Sequence, residues 1–85
     1  MKTMYFIPGM HTSLQHHYMR AEFWHVTEGS GFFVIGELER PVMRGDVALV
    51  PVGVKHQIKA GPNGLVVAEM QFGPKCSEDD IVRYA

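Results

Sequence analysis

An all-β fold, a sandwich or a small barrel, is predicted by three features of this 85-residue chain. Turn residues punctuate it throughout, the segments between them are short and rich in β-branched and aromatic residues, and the last such segment alternates with a period of two. Gly or Pro stands at 9, 29, 31, 36, 41, 45, 51, 53, 61, 62 and 64, which leaves no room for a long amphipathic helix before Pro74.

Strands are expected near Thr3–Ile7, Ser13–Tyr18, Glu22–Thr27, Phe32–Gly36, Arg40–Met43, Val47–Val50, His56–Lys59 and Leu65–Phe72. Two joints read as tight hairpins, Glu28-Gly29-Ser30-Gly31 and Gly61-Pro62-Asn63-Gly64, because glycines supply the positive φ such turns need. In the last strand Val66, Ala68, Met70 and Phe72 alternate with Val67, Glu69 and Gln71, so the first set is expected to line the core. Trp24 and Phe33 are also expected there. Ser77 to Ala85 reads as a tail, with Ser77 capping a helical turn.

Composition narrows the function classes. At 46% hydrophobic the chain is that of one compact domain, residues 1–85. A domain this small buries only about 60% of its unfolded surface. A bound metal and a homodimer interface are the available sources of further stability, since the single Cys76 cannot form an intrachain disulfide. The edge of the short strand Thr3–Ile7 is where a twin subunit would pair. Eight Lys and Arg against nine Asp and Glu, without a basic cluster, exclude the electrostatic footprint of a nucleic-acid binder. No segment has the length of a membrane span, and the apolar run in Met1 to Met10 is broken by Pro8 and Gly9. A cytoplasmic protein is expected.

Two spaced strings carry the chemistry. The first runs from Gly9 through Gln15, His17 and Glu22 to Gly29, and the second from Gly45 through Pro51 and Gly53 to His56. Gln15 and His17 are two apart and so share one side of a strand; Glu22 has the wrong parity unless a turn at Met19, Arg20 and Ala21 intervenes. His56 follows a rigid Pro-x-Gly bend that aims its ring. Two imidazoles, a carboxylate and an amide oxygen form a mixed nitrogen and oxygen set suited to Zn, Mn, Fe, Co or Ni. Four protein ligands leave positions for water or substrate oxygens, so the ion could act as a Lewis acid. A second register is also open, in which His16 and Tyr18 accompany Glu22. It is the weaker one, because a phenol must lose a proton of pKa near 10 to ligate.

The two strings resemble the paired motifs of the cupin superfamily, which implies a small jelly-roll β-barrel. The general pattern has His where Gln15 stands, and often Asn where Ala60 stands. A narrower resemblance rests on Ser13-Leu14-Gln15, His17, Arg20-Ala21-Glu22-x-Trp24, Pro51-x-Gly53-Val54-x-His56, Glu69-x-Gln71-x-Gly73 and Glu78-Asp79-Asp80-Ile81-Val82-Arg83. These are similar to the C-terminal cupin domain of bifunctional phosphomannose isomerase/GDP-mannose pyrophosphorylase enzymes, the type II mannose-6-phosphate isomerases, where Gln is the expected residue at position 15. The resemblance covers most of the chain. It implies metal-dependent interconversion of mannose 6-phosphate and fructose 6-phosphate, metal ligands Gln15, His17, Glu22 and His56, and phosphate contacts from Arg20 and Arg83. The chain departs from that pattern at Tyr18, Met19 and Phe23, where the family has histidines, and it lacks the Tyr-Gly-Arg segment that follows the position of Arg83. The 85 residues hold no glycine-rich nucleotide loop, so guanylyl transfer is not expected of them.

An isomerase needs a general base, and the nearby candidates are His11, His16, Lys55 and His25. Two other function classes stand beside it. His17, His56 and Glu22 also make the set of a non-haem iron oxygenase, and a sugar or metabolite binding module without turnover would use the same pocket.

Overall fold

The computed structural model describes residues 1–84, and among them every regular element is a β-strand. The strands are β1 (Lys2–Phe6), β2 (Leu14–His16), β3 (Ala21–Ile35), β4 (Leu38–Met43), β5 (Val47–Val50), β6 (His56–Phe72) and β7 (Val82–Tyr84). One antiparallel sheet holds all seven, in the order β4-β3-β6-β2-β7, with β1 added on β6 and β5 on β3. No helix of the described residues is long and apolar enough to cross a membrane.

The backbone of the fold is the pairing of β3 with β6, which runs from Ala21 opposite Phe72 to Ile35 opposite His56. Each of these strands joins two of the short strands expected from sequence. The two glycine clusters read as hairpins are instead irregularities within continuous strands. Register shifts fall between Val26 and Glu28 and between Gly29 and Gly31, and Gly61 to Gly64 bulge out against the single residue Ser30. The tight hairpin lies elsewhere, at Gly36-Glu37, where Ile35 pairs with Leu38 and Gly36 has φ +62°.

The irregularities curl the sheet. Trp24 and Phe33 are nine residues apart on β3, a span of about 30 Å if the strand were straight, yet their ring centroids are 4.8 Å apart. The strand doubles over, and both halves present side chains to one core. Bulging also switches the inward parity: Glu22, Trp24 and Val26 are buried before the bend, Gly31 and Phe33 after it. In β6 His56 and Ile58 give way to Leu65, Val67 and Glu69.

That switch overturns the expected core face of the last strand. Val67 and Leu65 join Trp24, Val26, Phe33, Val42, Ala48, Val50 and Ile58 in the core, whereas Met70 and Phe72 are about half exposed. Local alternation identified two faces correctly, but the longer apolar set points outward. Outside, Met70 pairs across β3 with Phe23, which in turn faces Leu49 of β5.

The C-terminal segment does not form the expected helical turn. Ser77 accepts at Oγ from Asp79 N–H and at its carbonyl from Asp80 N–H, closing a tight turn. Val82–Tyr84 then pair with β2, setting Arg83 opposite Gln15. Ala85, the last residue of the expected tail, lies outside the described residues.

Candidate metal centre

Three segments converge where β2, β3 and β6 meet. The turn after β2 is held by Asp80, whose carboxylate accepts from Tyr18 N–H at 2.9 Å and Met19 N–H at 2.7 Å. It reverses the chain between His17 and Glu22, as the parity argument required. The Pro51-x-Gly53 bend is tied to the same place, because Gly53, at φ +79°, donates its N–H to the His17 carbonyl at 2.8 Å.

His17, Glu22 and His56 are buried, and one donor atom from each lies within 4.8 Å of the others. His17 Nε2 is 3.2 Å from Glu22 Oε2, and His56 Nε2 is 3.8 Å from Glu22 Oε1. Both rings present the same nitrogen inward. His17 Nδ1 meets the Asp80 carbonyl, and His56 Nδ1 meets the Val54 carbonyl at 2.9 Å. A carbonyl only accepts, so each Nδ1 carries a proton and each ring turns Nε2 toward Glu22, the nitrogen that would ligate in the neutral tautomer. Burial, reinforced by His17 and Arg20, lowers the His56 pKa and favours that neutral form, against an opposing pull from the Val54 carbonyl and Glu69. This donor set suits a divalent ion.

Gln15 lies opposite His56 in the β2–β6 register, and both line a cavity of about 200 Å³ with Glu22, Trp24, Glu69 and Arg83. Its amide nitrogen is turned to Ser13. The alternative register is not the one the fold brings together: His16 hydrogen-bonds the Tyr84 hydroxyl at 2.7 Å, and Tyr18 is 63% exposed.

Arg20 and Arg83 occupy different settings. Arg83 is exposed at the cavity mouth, where an anionic group can reach it. Arg20 is buried, and its Nε and Nη2 both reach Glu22 Oε2 at 2.9 Å, while Nη2 also lies 3.1 Å from His17 Nε2. An ion pair with the cluster is its observed role.

The four candidate bases lie away from the cavity. His11 contacts Thr12 and Gln57, His16 contacts Tyr84, Lys55 stacks over the Tyr84 ring, and His25 is exposed on the outer face. Sequence reading did not single out Glu69 as a buried carboxylate of this cavity. It is 4% exposed and shares the Trp24 indole N–H with Glu22, each acceptor oxygen 3.1 Å from Nε1. Burial, then hydrogen bonding and repulsion from Glu22, raise its pKa, while Gln71 and Lys2 pull it down. Its position two residues beyond inward-facing Val67 was the available signal, hidden by the inverted face.

Asp80 offers a direct pH test. Tyr18 N–H above all, with help from Met19 N–H, His17 and Arg20, holds its carboxyl below the usual range. A folded-state pKa below the unfolded one means that its stabilisation is present above about pH 4 and lost as pH falls through the folded value. Asp80→Asn is therefore expected to flatten the decline in melting temperature on acidification. An acid limb superimposable on that of the parent would refute this.

Comparison with known proteins identifies the family and the fold. A family model described as the C-terminal region of mannose-6-phosphate isomerase matches residues 1–85. The xanthan biosynthesis protein XanB of Xanthomonas campestris is 38% identical over 78 residues, covering 91% of this chain and 17% of XanB. A mannose-1-phosphate guanylyltransferase of Salmonella montevideo is 35% identical over 79 residues, covering 92% and 17%. The chain thus spans about a sixth of the length of these curated relatives. Among solved structures, oxalate decarboxylase from Bacillus subtilis superposes with a TM-score of 0.87 at 24% identity, over 95% of this chain and 22% of that one. A cupin protein from Bacteroides fragilis gives 0.76 at 19%, over 89% and 66%. The architecture is that of a cupin, and the chain belongs to the family of mannose-6-phosphate isomerase C-terminal domains.

Proposed function

We propose that this chain binds one divalent metal through His17, Glu22 and His56, with Gln15 as the fourth ligand, and isomerises a hexose phosphate between aldose and ketose. The observation that carries this reading is the pair of Nε2 atoms turned to one buried carboxylate, with Glu22 and His56 lining the cavity. Relatives named for mannose phosphate metabolism support the substrate class. A bound ion would supply Lewis-acid stabilisation of negative charge developing on substrate oxygens.

The chain's own residues do the rest. Arg83 at the mouth meets the phosphate. Asp80 and Val54 fix the two imidazoles in the required tautomer. Glu69 is the buried carboxylate left in the cavity once Glu22 is engaged, Glu78 being exposed, and it is the group to move a proton between neighbouring carbons.

Zinc, manganese, iron, cobalt or nickel should each be offered. Elemental analysis is expected to find one ion per chain. His17→Ala and His56→Ala should each weaken binding more than tenfold, or by more than about 1.4 kcal/mol, while His16→Ala leaves it intact. The loaded protein should convert mannose 6-phosphate to fructose 6-phosphate, with Glu69→Gln abolishing turnover. Metal retained by His17→Ala and lost by His16→Ala would refute the ligand set. Saturable binding of the hexose phosphate without conversion, across all metals, would instead establish a binding module, a reading favoured by the guanidinium already seated against Glu22.

A further inference from the structure

Building on the metal reading above, we propose that Arg20 is the cluster's own cation, and that a metal ion enters only by displacing its guanidinium toward Ser77 and Glu78. A guanidinium is seldom buried without a paired anion, and here the anion is the carboxylate of the metal set. Arg20 Nε donates to Glu22 Oε2 at 2.9 Å, and Nη2 is ion-paired with the same oxygen, also at 2.9 Å. The third contact, from Nη2 to His17 Nε2 at 3.1 Å, falls on the lone pair that a metal would need. An imidazole nitrogen has one lone pair in the ring plane, so it accepts from Arg20 or ligates an ion, and never both at once.

Charge makes the exclusion mutual. Glu22 and Arg20 together are neutral, and a second cation beside a buried guanidinium has like charge for a neighbour in a medium of low dielectric. The exit is already marked. Arg20 Nη1 lies 3.4 Å from the Ser77 carbonyl and 3.9 Å from Glu78 Oε1, and the Glu78 side chain is 76% exposed. Swinging outward trades one carboxylate for another and leaves Glu22 Oε2 and His17 Nε2 free. Metal uptake is then a cation exchange, coupled to the 77–80 turn whose Asp80 carbonyl holds the other face of His17.

The test measures Zn²⁺ affinity by competition with a chromophoric chelator for the parent chain, Arg20→Met, Arg20→Lys and Glu78→Ala. Arg20→Met keeps the aliphatic stem without the charge, and should bind Zn²⁺ at least tenfold tighter while the metal-free protein loses thermal stability. Should it fold only with metal present, that result supports the exchange, and Glu78→Ala provides the independent arm. Glu78 is exposed, so its removal spares the fold, and loss of the landing carboxylate should weaken Zn²⁺ binding about threefold or more. Arg20→Lys should fall between the parent and Arg20→Met. In parallel, the Arg20 Nε–H resonance in ¹⁵N spectra should move on Zn²⁺ addition to the parent. Affinity unchanged or reduced in Arg20→Met, with that resonance unmoved, would overturn the proposal while leaving the ligand set standing. Absence of any ion sensitive to His17→Ala in every variant would overturn both.

Discussion

Trp24→Ala is expected to remove about 3–5 kcal/mol of stability, the cost of deleting a large buried aromatic side chain. A domain of ordinary stability has only about 5–15 kcal/mol in total, so this single change leaves the chain close to unfolding. The indole is 1% exposed and packs edge-on against Phe33, holding the two arms of the bent β3 together, and against His56 at 5.5 Å between centroids. Its Nε1–H is also shared by the Glu22 and Glu69 carboxylates, which would be left facing each other without a donor between them. Trp24→Phe keeps a ring against Phe33 while removing the donor and part of the indole's bulk, at an expected cost of about 1–3 kcal/mol. Trp24 is the chain's one tryptophan, so urea unfolding must be followed by far-ultraviolet circular dichroism. Destabilisation of Trp24→Ala by less than 1 kcal/mol, on the same scale, would mean that the contact across the bend is dispensable.

Gly29→Ala should be strongly destabilising, for two separable reasons. Its φ of +77° lies in the left-handed region, which costs a residue with a Cβ about 1–2 kcal/mol. A Cβ there would also sit 2.2 Å from the Gly64 carbonyl oxygen and 3.2 Å from Leu65 Cα, both backbone atoms of the partner strand. Relieving that overlap forces β3 and β6 apart at the bend, adding about 1–3 kcal/mol of overpacking strain. Gly9 is the internal control. It has nearly the same φ, +78°, with nothing within 4 Å of an added Cβ, so Gly9→Ala should show the backbone term alone. Thermal denaturation of the two variants side by side decides the matter: equal losses would show that the close approach of the strands at Gly29 carries no energetic weight.

Both predictions concern the bend that makes the candidate centre possible. Glu22 lies on one arm of β3, and His56 opens the strand that pairs with the other arm at Ile35. Without the bend those residues would stand at opposite ends of a flat sheet. The core contact of Trp24 with Phe33 and the close approach of Gly29 to Gly64 therefore serve the chemistry indirectly, by setting where the donors meet.

The convergence of His17, Glu22 and His56 was legible in sequence because it depends on short-range geometry. The turn required before Glu22 and the Pro-x-Gly bend before His56 each follow from strand parity or fixed backbone angles within a few residues. What sequence could not decide was the sense of each face. Alternation marks Val66, Ala68, Met70 and Phe72 as one set and Val67, Glu69 and Gln71 as another, but the bulge at Gly61 to Gly64 determines which set points inward. Glu69 reached the cavity by that route. Nor could spacing place the end of a long flexible side chain: the guanidinium of Arg20 settles beside Glu22 because a buried carboxylate is the strongest partner within its reach. The chain by itself determined where extended segments lie, the turn before Glu22 and the order of the donors, but not that the glycine clusters at 28–31 and 61–64 are bulges in continuous strands. Only the long-range pairing of β3 with β6 decided which side is interior, since burial belongs to the assembled sheet and to no single segment.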